Sequence, residues 1–187
     1  TLIRIAGQGD KKISDSIPVA SQYVPLNATV IPLAIGHGLK VGEHITVTRP
    51  STKEWIQSIG ADKIGTYVDY QLTHWEPRDF DLCWERTIVE TSPTSVTIDV
   101  PLTNSLDPEM GGGYISRCQW NGRIKNVGIE NLQCVSEYDP KNAKDENHRW
   151  MAITVENAED GWVRRVVGKH FVSSIVAVSY KQLTLQT

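Results

Sequence analysis

Cysteine is scarce in this chain: Cys83, Cys118 and Cys134 are the only three among 187 residues. They form no CxxC pair and no zinc spacing, and an odd, sparse count fits buried free thiols rather than a disulfide framework. An excess of positive charge is missing as well. Nineteen Lys and Arg stand against 22 Asp and Glu, giving a net charge of −3. No basic stripe exists to neutralise phosphates, so a nucleic-acid partner is not expected. The densest cationic group, Arg164, Arg165 and Lys169, lies near Glu156, Glu159 and Asp160 in sequence and reads as a mixed, solvated face. Long apolar runs are also lacking. None approaches the ~18 residues that a spanning helix needs, and no membrane partner is expected. The glycine pairs and triplets, Gly7–Gly9 and Gly111–Gly113, lack the lysine, strand and helix of a phosphate loop and read as turns.

What the chain has is a short pattern repeated near its C-terminus, without helical periodicity. It recurs in 122–135 (GRIKNVGIENLQCV), 150–167 (WMAITVENAEDGWVRRVV) and 173–186 (SSIVAVSYKQLTLQ). Ile153 falls 22 residues before Ile175, Val163 falls 20 before Leu183, and Ile129 falls 34 before Val163. The last offset fits one coil plus a polar insertion at 136–149. Short apolar strands at a period of roughly twenty residues suit a β-solenoid, whose coils cannot bury an inner face alone and must stack. The chain opens on Thr1–Ile5 (TLIRI), which alternates like a strand rather than a signal peptide, and Leu183–Leu185 makes another strand at the far end. Strands at both ends are expected of a piece cut from a longer stack. Its open edge would meet further coils of a parent chain or another copy.

The texture changes between Tyr23 and Tyr114. Val30–Ile35 and His44–Thr48 read as strands, Ser51–Glu54 (STKE) as a capping box opening a short helix to about Ile59, and Thr87–Glu90 with Ser95–Val100 as a hairpin stopped by Pro101. The expected organisation is a first coil at 1–20, a small β-rich module with one short helix inserted at 21–116, and coils at 117–187. The fold class is all-β.

The runs Gly122–Leu132 (GRIKNVGIENL), Ile153–Ala158 (ITVENA) and Trp162–Val166 (WVRRV) resemble the coils of the pectate-lyase-like right-handed parallel β-helix superfamily. Val41–Pro50 (VGEHITVTRP) and Ser95–Leu102 (SVTIDVPL) are similar to segments that accompany such coils in large carbohydrate-active proteins of gut and environmental bacteria. The resemblance covers the last third of the chain and is specific for fold rather than chemistry. It implies a polysaccharide ligand and a bacterial protein that is secreted, periplasmic or at the cell surface. Recognition of a polysaccharide within a larger carbohydrate-active protein is the expected function. The alternatives are a polysaccharide lyase or glycoside hydrolase, and a structural, tailspike- or adhesin-like stalk.

Two segments carry candidate site residues. In 70–85, Tyr70, Trp75, Glu76, Asp79 and Trp84 combine aromatic faces, which stack on pyranose rings, with carboxylates that bind hydroxyls. Trp75 and Trp84 equally suit the core of a module short of aliphatic residues. In 136–150, a polar loop projecting from the stack adds Trp150 as a ligand-binding candidate, with Asp145, Glu146 and His148 as catalytic candidates. Asp139, Asp145 and Glu146 are candidate ligands for a hard cation such as Ca²⁺, although their spacing matches no EF-hand loop. Glycosidases need two carboxylates at a set separation, and no pair here sits in a recognisable catalytic motif. Asn126, Asn131 and Asn157 are expected at coil turns, stacked as an amide ladder.

Overall fold

The computed structural model describes residues 1–20, 22–64, 74–179 and 183–186. Among them the chain is all-β apart from one six-residue helix, α1 (Lys53–Ser58), and two 3-10 turns at Ala61–Lys63 and Pro108–Met110. In chain order the strands are β1 (Ile3–Ala6), β2 (Lys12–Pro18), β3 (Val30–Pro32), β4 (His44–Arg49), β5 (Leu82–Ser92), β6 (Ser95–Ile98) and β7 (Tyr114–Gln119). There follow β8 (Ile124–Lys125), β9 (Gly128–Val135), β10 (Met151–Glu156), β11 (Ala158–Glu159), β12 (Gly161–Lys169), β13 (Ser174–Ser179) and β14 (Leu183–Gln186). No helix among the described residues is long and apolar enough to cross a membrane. The chain divides into two compact units: Thr1–Lys11 with Trp120–Thr187, and Lys12–Gln119.

In the first unit every strand pairing is parallel. The sheets run β1-β10-β13, β8-β11 and β9-β12-β14. The chain visits one sheet after another through β10, β11 and β12, so each strand lies beside its counterpart from the next turn. Ile3 pairs with Ile153 and Ile153 with Val176, while Val163 lies between Ile129 and Leu185. The offset of 34 between Ile129 and Val163 is therefore present. The other two are displaced: Ile153 meets Val176 rather than Ile175, and Val163 meets Leu185 rather than Leu183. Burial sets the first of these, because Val176 packs on the apolar cluster whereas Ile175 is 42% exposed. The enclosed cluster is built from Cys134, Ala152, Ile153, Val155, Ala158 and Val163. Each fully buried Ile or Val side chain contributes about 1.5–3 kcal/mol relative to exposure.

Corners between the strands, and one position inside each of β9 and β12, use left-handed backbone. Asn126, Asn131, Asn157, Asp160 and Arg165 all have φ between 50° and 56°, a region that Asn and Asp tolerate better than other side chains. The expected amide ladder does not form. Asn157 Nδ2 donates to the Gly7 carbonyl at 3.1 Å, and the Arg165 guanidinium donates to Asn131 Oδ1 at 2.5 Å. The asparagines are here for their backbone conformation, and their neighbours in the stack are other residues.

The second unit is a six-stranded antiparallel sheet of order β2-β7-β4-β5-β6-β3. A bridge between Val19 and Leu33 joins its outer strands, and Ala20 donates to the Pro32 carbonyl at 2.9 Å. The sheet thus curls back on itself and leaves little open edge. Val24, Ile31, Ile45, Val47, Trp84, Ile88, Val96, Ile98, Leu106 and Ile115 fill it. Residues 12–18, expected in the first coil, instead form β2, antiparallel to β7; Lys12 pairs with Gln119 and brings the two ends of the unit together. Thr52, one residue later than the expected box implied, caps α1 by accepting from the Trp55 N–H. The Ser51 hydroxyl is occupied instead with the Arg78 and Phe80 amides.

Tight stacking makes a sharp prediction at Gly7. A Cβ there would lie 2.4 Å from the Asn157 carbonyl oxygen and 2.6 Å from that of Gly122, whereas one on Gly9 would meet only Asn157 Nδ2 at 3.8 Å. Gly7→Ala is expected to lower stability in urea unfolding by about 1–3 kcal/mol through overpacking. Gly9→Ala should leave the midpoint within error.

Candidate functional site

Strand β9 ends at Val135, and the polar insertion begins at the next residue. Its base is closed by Ser136, whose N–H donates to the Lys169 carbonyl at 3.0 Å and whose Oγ accepts the Arg149 N–H at 3.2 Å. Within the loop Asp145 is the organiser. One carboxylate oxygen accepts from the Asp139 N–H and the other from the Asn147 N–H, each at 2.9 Å. The first oxygen also lies 3.1 Å from His148 Nδ1. The Asp145 carboxyl is held below its ordinary range, chiefly by the Asp139 and Asn147 backbone bonds and then by His148, against a partial desolvation. A loop without aliphatic core residues is thus ordered from one carboxylate.

That order shapes an open cleft lined by Leu2, 135–139 and 145–150. The Tyr138 ring stacks on His170 with centroids 4.3 Å apart and planes 21° apart, and it is tilted toward His148 at 6.3 Å. Trp150 is 50% exposed at the cleft, beside exposed Leu2 and Val135. His148 and Asp145 are largely enclosed. With Nδ1 turned to Asp145, the imidazole keeps Nε2 without a partner among the described residues. A carboxylate that fixes one ring nitrogen orients the other as a proton acceptor.

The candidates fare differently. Trp150, Asp145, Glu146 and His148 all line this cleft. As candidate cation ligands, Asp139 and Asp145 already make hydrogen bonds within the loop. Asp145 is spent on two amides and an imidazole and Asp139 on the Lys141 N–H. No group of three or more His, Cys, Asp or Glu among the described residues could hold a metal. Asp145 is also a poor general base, because its lowered pKa reduces its affinity for a proton.

Trp84 is a core residue of the second unit at 6% exposure, with Nε1 donating to Thr103 Oγ1 at 2.8 Å, so it presents no face to a ligand. Trp75 is half-buried, stacked on Phe80 at 4.1 Å and tilted against Trp55 at 6.1 Å. Glu76 accepts from or faces His74 Nε2 at 2.7 Å, and Asp79 accepts the Glu76 N–H at 3.1 Å. These are local contacts of a turn before β5. Tyr70 lies outside the described residues. Ser136, which lines the cleft, and His170, which stacks on Tyr138, are not among the residues that the sequence singles out. The 34-residue offset that pairs Val135 with Lys169 puts His170 opposite Ser136, so that period was the signal that could have found them.

No protein-family model matches this chain, and no curated protein matches it. Three solved structures are similar at low identity. The gp54 tailspike of Acinetobacter baumannii bacteriophage AP22, in complex with A. baumannii capsular saccharide, is 9% identical over 89% of this chain and 22% of its own, with a TM-score of 0.41. The tailspike gp49 of Pseudomonas phage LKA1 is 13% identical over 87% of this chain and 26% of its own, with a TM-score of 0.39. The Pseudomonas phage phi297 tailspike gp61 is 12% identical over 94% of this chain and 37% of its own, with a TM-score of 0.42. The chain thus spans between about a fifth and two fifths of the length of these proteins.

The organising role of Asp145 has a pH signature. Because its folded pKa is lowered, the order it confers is complete above the usual aspartate value of about 3.9 and is lost as pH falls through the lowered value. The Asp139 and Asn147 amide resonances should titrate with a midpoint below that of a free aspartate. Asp145→Asn should abolish the titration and shift both amides at neutral pH. Unchanged amides in the variant would contradict the assignment.

Proposed function

We propose that the chain recognises a polysaccharide through the cleft at 135–150, as part of a larger bacterial carbohydrate-active protein that is secreted, periplasmic or displayed at the cell surface. The first unit is read as successive coils of a right-handed parallel β-helix, which present loops such as 136–150 from a rigid support. One observation carries the functional reading: an exposed Trp150 and a Tyr138 ring stacked on His170 share an open cleft with enclosed polar groups, Asp145 and His148. Aromatic faces with polar neighbours suit a sugar, whose C–H face needs an apolar surface and whose hydroxyls need hydrogen-bond partners.

A second reading is supported by the Asp145–His148 pair alone. A histidine fixed at Nδ1 by a carboxylate has the form of a general base, as a lyase or hydrolase would require, and Arg149 is adjacent in sequence. The cleft carries no second catalytic carboxylate in evident partnership, so binding is the preferred reading.

Affinity electrophoresis over a panel of neutral and acidic polysaccharides separates the two. Tyr138→Ala and Trp150→Ala should each weaken retardation by about tenfold, the equivalent of 1.4 kcal/mol. Wild-type retardation that survives both aromatic substitutions would refute the cleft. Release of reducing ends or unsaturated uronide by the wild type, lost in His148→Gln, would establish catalysis instead.

A further inference from the structure

We infer that the outward face of β9 and β12 is a second glycan site, a track for an acidic polysaccharide on which a sugar ring stacks against Trp162. The inference rests on the polysaccharide reading but concerns different residues from those of the cleft.

The two strands display one continuous row. On β12, Gly161 and Val163 are buried, and Trp162 and Arg164 point outward. Left-handed backbone at Arg165, φ 50°, then shifts the alternation, so that Arg165, Val167 and Lys169 are exposed in turn. Asn131, φ 56°, makes the same shift on β9. Register therefore sets Trp162 beside Gly128, Arg164 beside Glu130, and Lys169 beside Val135.

Trp162 is fixed in place. Its Nε1–H donates to Glu130 Oε1 at 2.7 Å, and a Cβ on Gly128 would fall 2.2 Å from indole Cε2. One face of the ring lies directly on the glycine backbone, and the side chain remains exposed to solvent. A ring held on one side and at its edge loses little further freedom when a ligand covers the other side, which favours binding.

Charge chooses the ligand. Arg164 reaches both Glu130 oxygens at 2.7 Å, Arg165 lies 3.4 Å from the same carboxylate, and Lys169 is exposed further along. Three cations thus share the row with the Glu130 carboxylate, which Arg164 and Trp162 already engage. The surplus is positive and complements a chain of carboxylate-bearing sugars. From Gly128 to Val135 the row extends about 23 Å at ~3.3 Å per residue, a length suited to an extended polymer rather than a single sugar.

The test uses the full chain in affinity electrophoresis, with alginate as the acidic probe and dextran as the neutral one. Alginate should retard the wild type more than dextran, and the retardation should weaken as NaCl is raised. Trp162→Ala and the double variant Arg165→Gln/Lys169→Gln should each weaken alginate binding by about tenfold, while Trp162→Phe retains most of it. The double variant keeps the indole and its packing, so its result stands even where Trp162→Ala fails to fold. Equal retardation by dextran, or undiminished alginate binding by the double variant, would overturn the proposal. Loss of binding in Tyr138→Ala with none in the Trp162 and double variants would leave the cleft standing and remove the track. The reverse pattern would support the track and remove the cleft.

Discussion

Parallel strands cannot be closed by short hairpins, and in the first unit each strand satisfies its backbone hydrogen bonds on the next turn of the chain. Everything else in that unit follows from this constraint. Ile153 is buried, with half-buried Ile3 and Val176 packed on its cluster, only because three turns coincide. The corners must turn within one or two residues, which selects left-handed Asn126, Asn157 and Asp160. Close approach of neighbouring turns excludes a side chain at Gly7 and at Gly128. A stack of this kind tolerates insertions at its corners and not within its strands. The chain uses two of them, the 108-residue unit Lys12–Gln119 between β1 and β8, and the loop at 136–150.

The first insertion begins from a stapled neck. Gln8 donates to the Gly122 carbonyl at 2.7 Å, the Gly122 N–H donates to Asp10, and Trp120 Nε1 donates to the Gln8 carbonyl at 2.7 Å. The second is too polar to fold around an apolar core and is ordered by the Asp145 carboxylate instead. Two surfaces result, with different character. The cleft is rich in carboxylates, whereas the β9–β12 row carries more cations than carboxylates. Rigid strands fix the row, and a hydrogen-bonded loop fixes the cleft. A polymeric ligand suits both, because neither surface is an enclosed pocket.

The fold was legible where burial and spacing act together. The 34-residue offset from Ile129 to Val163 is present because both residues face inward in paired strands. The two shorter offsets differ from the register by one and two residues; in the first, apolar Ile175 looks like a core residue in sequence yet points outward. Strand β2 (KISDSIP) escaped notice because its charged and hydroxyl side chains show no clean alternation. Trp84 and Trp75 illustrate a different ambiguity: an indole beside carboxylates reads the same whether it packs a core or binds a sugar, and only burial separates the two. Loop composition names Trp150 and His148, and both line the cleft. It does not name His170 and Trp162, because their roles depend on which residue lies one turn away.

Backbone NOEs in a uniformly labelled sample test the stacking most directly. Interstrand contacts should link Ile3 to Ile153 and Ile153 to Val176 in the parallel pattern, and Ile129 to Val163 in the neighbouring sheet. Antiparallel contacts among these strands, or a register in which Ile175 rather than Val176 faces Ile153, would contradict it.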